Sequence, residues 1–92
     1  NMDLLRAIEA VTQVPLVLHG SSGIPDATRR ELALTSKICK FNVGTELRQV
    51  FGAALRQELD QKPGAFDRIE ILAAVEAPLK DAARRVIRTI YL

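Results

Sequence analysis

The sequence predicts an α/β fold built on parallel strands, and three observations lead to it. Two short apolar runs, at 16–18 and 38–43, have the length of buried strands. Each run ends in a turn of small residues, and a segment with helical periodicity follows each turn. Strands joined through a helix are expected to be parallel. The predicted order is helix, strand, helix, strand, helix, helix, which is the arrangement of a (β/α) barrel.

The first strand ends in the chain's one histidine. The run 16–18 follows Pro15 and stops at His19, and the loop Gly-Ser-Ser-Gly comes next. Parallel α/β proteins carry their chemistry at the carboxyl ends of strands. A small-residue loop before a helix can present backbone N–H groups to an anion. Taken alone, the same residues also fit a core or surface histidine beside an ordinary turn.

The second strand ends at Asn42-Val43 and opens, through Gly44 and Thr45, into an amphipathic helix. An apolar stripe with steps of three and four residues predicts this helix up to the Lys-Pro-Gly at 62–64. Strand residues alternate between two faces. If Asn42 points into a barrel mouth, Ile38 and Lys40 point inward too, and Cys39, Phe41 and Val43 face the helices. Cys39 is then expected to be a packed thiol.

Two further helices are predicted at the ends of the chain. Residues 2–12 carry a helical apolar stripe. The last helix opens at Asp67 with the spacing of a capping box, with Glu70 three residues later. Pro78 interrupts its apolar stripe, and because proline lacks an N–H and clashes with the preceding turn, we expect a kink or a break there.

Composition excludes several classes of function. The chain of 92 residues is 48% hydrophobic and 26% charged, which is typical of a globular protein. A net charge of +2, with basic residues dispersed among acids and few aromatics, argues against nucleic-acid binding. The single cysteine forms no internal disulfide and belongs to no self-contained zinc motif. No apolar run is long enough to cross a membrane, so a cytoplasmic protein is expected.

The two strand-end motifs together resemble one known family. His-Gly-Ser-Ser-Gly after the first strand and Asn-Val-Gly-Thr-Glu after the second, about twenty residues apart, resemble the last two barrel strands of the class II, zinc-dependent ketose-bisphosphate aldolases. The resemblance runs over almost the whole chain. The fructose-bisphosphate and tagatose-bisphosphate branches both fit it.

This resemblance implies a reaction and a set of site residues. Such enzymes cleave a ketose 1,6-bisphosphate to dihydroxyacetone phosphate and glyceraldehyde 3-phosphate, using a zinc ion held by three histidines. His19 matches the last of those ligands, and the catalytic acid and base match nothing in this chain. The residues that match positions binding the substrate and its phosphate are Gly20, Ser22, Asn42, Gly44 and Thr45. The resemblance also implies a monovalent cation near the phosphate, a role in carbohydrate metabolism and glycolysis, and a homodimer or homotetramer.

Two parallel strands do not make a complete domain, because both sheet edges and one face stay uncovered. A full barrel needs about 250 residues. We therefore expect residues 1–92 to be the C-terminal segment of a single (β/α)8 TIM-barrel domain, with the remaining strands outside this chain. The alternatives are a non-catalytic barrel relative or partner subunit that lacks the full zinc site, and a stand-alone anion-binding module. Two further histidines and an acidic base elsewhere in the protein would favour the aldolase.

Overall fold

The computed structural model describes residues 1–91 and contains the elements in the predicted order. Their bounds are α1 Met2–Val11, β1 Leu16–Leu18, α2 Asp26–Thr35, β2 Ile38–Phe41, α3 Thr45–Gln61 and α4 Arg68–Tyr91. Four helices and two strands alternate up to α3, as in a partial α/β barrel, and α4 follows α3 directly.

The two strands are parallel neighbours, as the sequence predicts. Backbone hydrogen bonds extend past both ends of the ladder. The N–H of Leu16 donates to the carbonyl of Lys37 at 2.9 Å, and the N–H of Asn42 donates to the carbonyl of Leu18, also at 2.9 Å. The second bond places Asn42 directly beside the end of β1, so the loops that follow the two strands start at the same edge of the sheet.

A register irregularity in the sheet corrects part of the predicted side-chain alternation. Leu16 pairs with Ile38 but Val17 pairs with Lys40, so Cys39 is left out of the one-to-one pairing. Such a bulge shifts the residues before it to the other face. Ile38 is accordingly buried on the helix side, near Leu32, whereas it was expected to point inward with Lys40.

The prediction of a packed Cys39 thiol is also wrong, because this side chain is exposed. Its Sγ lies 3.4 Å from the carbonyl oxygen of Leu16. Beyond the bulge, the prediction is confirmed for the two residues that were expected to face the helices. Phe41 and Val43 lie against α3 and α4, while Lys40 is exposed, as is Val17, its partner across the ladder.

The apolar core lies mainly along α4, which packs against α2 and α3. Its buried side chains recur at steps of four and seven residues and so follow one face of a helix. The buried apolar residues of the described chain are Leu32, Ile38, Val75, Ala82, Val86 and Ile90.

Helix α4 runs without a break through Pro78. Of the predicted kink or break, the break does not occur. Pro78 and Ala74, one turn earlier, are both exposed. Water can therefore take the carbonyl that proline leaves without a donor. The helix start follows the prediction more closely. The carboxylate of Asp67 accepts from the N–H of Ile69 at 2.9 Å, as an N-cap residue does.

The chain is elongated, with dimensions of 58 × 21 × 19 Å and a radius of gyration of 17.5 Å. A compact domain of this length has a radius of gyration of about 12 Å. Helix α1 is attached by polar contacts, among them the guanidinium of Arg6 on Thr35 and the carboxylate of Glu9 on the backbone of Lys37. Within residues 1–91, no helix has both the length and the apolar character needed to span a membrane.

Candidate functional site

An open cleft of about 530 Å³ lies at the carboxyl ends of the two strands. It is formed by the loop after β1, the loop after β2 and the first turn of α3. Every residue predicted to bind the substrate or its phosphate lines it. The lining residues are Gly20, Ser22, Phe41, Asn42, Val43, Gly44, Thr45 and Arg48.

His19 stands at the rim of this cleft, in contact with the side chain of Asn42, the residue that directly follows the second strand. Its Nδ1 lies 2.9 Å from Nδ2 of Asn42. In a neutral imidazole one ring nitrogen donates and the other accepts. The contact therefore fixes the ring against the strand end and leaves Nε2 directed elsewhere. His19 is exposed, so this second nitrogen is accessible to a ligand.

Two serines join the loop after β1 to the segment after β2. Ser21 is fully buried, and its hydroxyl donates to the carbonyl of Asn42 at 3.1 Å. The hydroxyl oxygen of Ser22 accepts from the N–H of Glu46 at 3.2 Å. Ser22 thus caps α3, a helix from the other loop, because Gly44 at the N-cap has no side chain to do so. The hydroxyl proton of Ser22 remains available to a ligand in the cleft.

Glycine is required at two positions of the first loop. Gly20 has φ 62° and Gly23 has φ 83°, a region that other L-residues rarely adopt. A Cβ placed on Gly20 would meet no atom within 4 Å. Since Gly20 lines the cleft, a ligand can approach the backbone there without contacting a side chain.

Arg48 is a cationic residue of the cleft that the sequence-based prediction missed. It lies one turn into α3, and its NH2 donates to Oγ1 of Thr45 at 3.2 Å. Its guanidinium passes 3.5 Å from the point where a Cβ on Gly44 would lie. Within residues 1–91 no carboxylate pairs with Arg48. Its position in the sequence was the available signal, because a residue four positions after Gly44, at a helix start, lies on the same side of the helix as Gly44.

A second missed group is a cluster of charges behind the loops. The carboxylate of Glu46 receives NH2 of Arg29 at 3.1 Å and NH2 of Arg85 on its other oxygen. Burial alone would raise the pKa of Glu46, but the hydrogen bond from Arg85, together with the charge and hydrogen bond of Arg29, lowers this pKa below its usual value. The cluster joins α2, α3 and α4. No local sequence pattern marks it, because its members are 17 and 39 residues apart.

The described residues do not form a complete metal site by themselves. They contain no group of three or more His, Cys, Asp or Glu that could hold a metal ion. His19 by itself fits a ligand shared with other parts of a barrel. A half-turn of the Asn42 carboxamide lets its oxygen accept from Nδ1–H, and Nε2 then carries the free lone pair that a metal needs.

Comparison with known proteins shows the family. The family model described as "Fructose-bisphosphate aldolase class-II" matches residues 1–91. Two parallel strands, a histidine at the end of the first and a small-residue cleft across both ends are consistent with that match. The chain belongs to the class-II fructose-bisphosphate aldolase family.

Individual relatives agree with this family. The chain is 39% identical over 83 residues to the D-tagatose-1,6-bisphosphate aldolase subunit GatY of Klebsiella oxytoca, which covers 90% of this chain and 29% of that protein. It is also similar in structure to the YdjI aldolase of Escherichia coli K12, with a TM-score of 0.78 and 31% identity. That match covers 99% of this chain and 32% of the YdjI chain. The chain therefore spans about a third of the length of these relatives.

Proposed function

We propose that this chain is part of a zinc-dependent aldolase that cleaves and forms a ketose 1,6-bisphosphate. Its products would be dihydroxyacetone phosphate and glyceraldehyde 3-phosphate. The chain would contribute the phosphate-binding loops and one zinc ligand. The observation that carries the proposal is the single cleft at the strand ends, which brings together all the residues expected to bind the substrate and its phosphate.

The cleft offers the groups that a phosphate dianion requires. It lies at the N-terminus of α3, where N–H groups and the helix dipole favour negative charge. The hydroxyls of Ser22 and Thr45 can donate to phosphate oxygens, and the backbone at Gly20 is open to close approach. Arg48 adds a guanidinium, which binds phosphate with charge-assisted hydrogen bonds.

The reacting end of the substrate would lie nearer to His19 and Asn42. The Asn42 amide lines the cleft and also contacts the imidazole, so it can hydrogen-bond a triose while orienting the ring. His19 would hold zinc together with ligands from outside this chain. When bound, zinc would act as a Lewis acid on the substrate carbonyl. The proton-transferring acid and base would also come from outside this chain.

The wider assignments rest on the family alone. They comprise a complete TIM-barrel domain of which this chain is the C-terminal segment, a cytoplasmic homodimer or homotetramer, a role in glycolysis or a related sugar pathway, and a monovalent cation near the phosphate. Neither the fructose nor the tagatose branch is preferred by the residues of this cleft. The tagatose relative is itself named as a subunit, so a partner subunit lacking the full zinc site is an alternative outcome of the test.

The test uses the full-length protein. We expect stoichiometric zinc, cleavage of fructose 1,6-bisphosphate or tagatose 1,6-bisphosphate, and competitive inhibition by inorganic phosphate. The protein is assayed with and without chelator, because loss and zinc-dependent return of cleavage separates metal catalysis from contamination. Phosphate binding without zinc and without cleavage would indicate the non-catalytic relative. Neither binding nor cleavage would refute the proposal.

A further inference from the structure

Helix α3 begins with a charge that opposes the proposed ligand. Glu46 lies in the first turn of this helix, and its backbone N–H donates a hydrogen bond to the hydroxyl oxygen of Ser22, which lines the cleft. A carboxylate in a first turn uses the positive end of the helix dipole for itself. It would also repel a phosphate dianion bound at the same helix end, since nearby like charges disfavour each other.

Two arginines reverse this charge. Arg29 and Arg85 contact opposite oxygens of the Glu46 carboxylate, so the three side chains together carry a net charge of +1. Arg29 is 2% exposed and the Glu46 carboxylate is 18% exposed, while Arg85 is 54% exposed. Buried charges are screened less by solvent than surface charges, so Arg29 has the strongest effect of the two arginines. The field of the cluster therefore reaches the adjacent cleft.

Arg29 also joins the loop after β1 to the first turn of α3. Its NH2 contacts the carbonyl of Ser21 at 3.2 Å as well as the carboxylate of Glu46. Its Nε and NH1 are buried and have no hydrogen-bond partner among the described residues. A buried guanidinium with two unpaired groups is costly, so stability alone accounts poorly for an arginine here.

We propose that Arg29, Glu46 and Arg85 form a charge-setting cluster that keeps the start of α3 electropositive for the substrate phosphate. The proposal rests on the proposed function, since it concerns the same phosphate site. Glu46 holds the two arginines in place, and the arginines supply the excess positive charge. None of the three lines the cleft, so they act as positioning residues through the helix and the loop after β1.

The test varies the net charge of the cluster in the full-length protein. Arg29→Met gives a net charge of 0, Glu46→Gln gives +2, and the double variant returns to +1. The readouts are the inhibition constant of inorganic phosphate, and kcat and KM separately, at low and high salt. Arg84→Met is the matched control, because Arg84 neighbours Arg85 on α4 but is 57% exposed and paired with Asp81.

We expect Arg29→Met to weaken phosphate inhibition roughly tenfold and to raise KM more than it lowers kcat. Glu46→Gln should bind phosphate at least as well as the unsubstituted protein, and the double variant should bind within about threefold of it. These differences should shrink at high salt, because screening weakens them. Arg84→Met should change neither constant.

A purely structural role predicts a different result. If the double variant binds phosphate as weakly as Arg29→Met, with no salt dependence, the charge-setting role is overturned. If Arg29→Met does not fold, Glu46→Gln still decides, because a large loss of phosphate affinity in that variant contradicts the proposal. Absence of phosphate inhibition in the unsubstituted protein would instead refute the phosphate site, and with it the proposed function.

Discussion

Nδ1 of His19 lies 2.9 Å from Nδ2 of Asn42, and this contact joins the carboxyl ends of the two parallel strands. The backbone supports it, because the N–H of Asn42 donates to the carbonyl of Leu18, the residue before the histidine. The imidazole is therefore oriented by a residue whose backbone is hydrogen-bonded to the end of β1. Such orientation by a neighbouring hydrogen bond is what a metal-binding histidine requires.

Replacing His19 by alanine tests this residue as a metal ligand. In the full-length protein we expect His19→Ala to lower bound zinc and to abolish cleavage of the ketose bisphosphate, because one of the ligands is lost. Metal analysis of the purified variant and a cleavage assay measure both effects. A variant that keeps full zinc and near-normal cleavage would show that His19 is not a ligand.

Replacing Gly20 by valine tests the approach of the phosphate to the loop after β1. Both Gly20 and Gly23 have positive φ, and a Cβ on either meets no atom within 4 Å. Valine at either position should therefore cost similar stability, of order 1–2 kcal/mol. Only Gly20 lines the cleft. We expect Gly20→Val to raise KM sharply, with Gly23→Val as the matched control for strain. Equal KM values in the two variants would contradict the phosphate site.

Removing the Arg48 guanidinium tests its contact with the phosphate. We expect Arg48→Met to raise KM and the phosphate inhibition constant about tenfold, because a charge-assisted hydrogen bond to a ligand contributes about 1.5–3 kcal/mol. Arg56→Met is the control, since Arg56 is exposed on the same helix two turns further along and does not line the cleft. The prediction fails if both variants behave alike in steady-state kinetics.

The lowered pKa of Glu46 predicts a pH dependence of stability. Because Arg85 and Arg29 hold this pKa below its ordinary value of 4.5, ionised Glu46 stabilises the folded state above that value. The stabilisation is lost as the pH falls through the lower pKa of the folded state. Urea unfolding of the full-length protein and of Glu46→Gln should differ at neutral pH, and this difference should narrow below about pH 4.5. A difference that is independent of pH would contradict the assignment.

The 92-residue chain by itself should fold poorly or associate with copies of itself. It is far more elongated than a compact domain of its length, and large apolar side chains such as Phe66, Ile69 and Val14 are exposed. We expect the isolated chain to be inactive, to bind zinc weakly, and to sediment as aggregates or oligomers. A monomer that unfolds cooperatively in sedimentation and calorimetry experiments would refute this. A monomer with measurable cleavage would also refute the division of site residues given above.

The order of helices and strands could be predicted from the sequence alone, and so could five of the eight residues that line the cleft. Both depend on local information. Apolar periodicity defines each element, and small residues such as Gly20 and Gly44 mark where a strand gives way to a turn. Parallel pairing then places both turns at one edge of the sheet. The motifs at 19–23 and 42–46 were also sufficient to indicate the family.

Other features were decided only by the tertiary structure. The bulge beside Leu16 moved Ile38 to the helix side and exposed Cys39, because the pairing of two strands sets register and strand periodicity alone does not. Helix α4 continues unbroken through Pro78, where Pro78 and Ala74 are both exposed to solvent. The Arg29–Glu46–Arg85 cluster depends on three helices meeting behind the cleft. Contacts between residues far apart in sequence have no local pattern, so only the folded chain shows them.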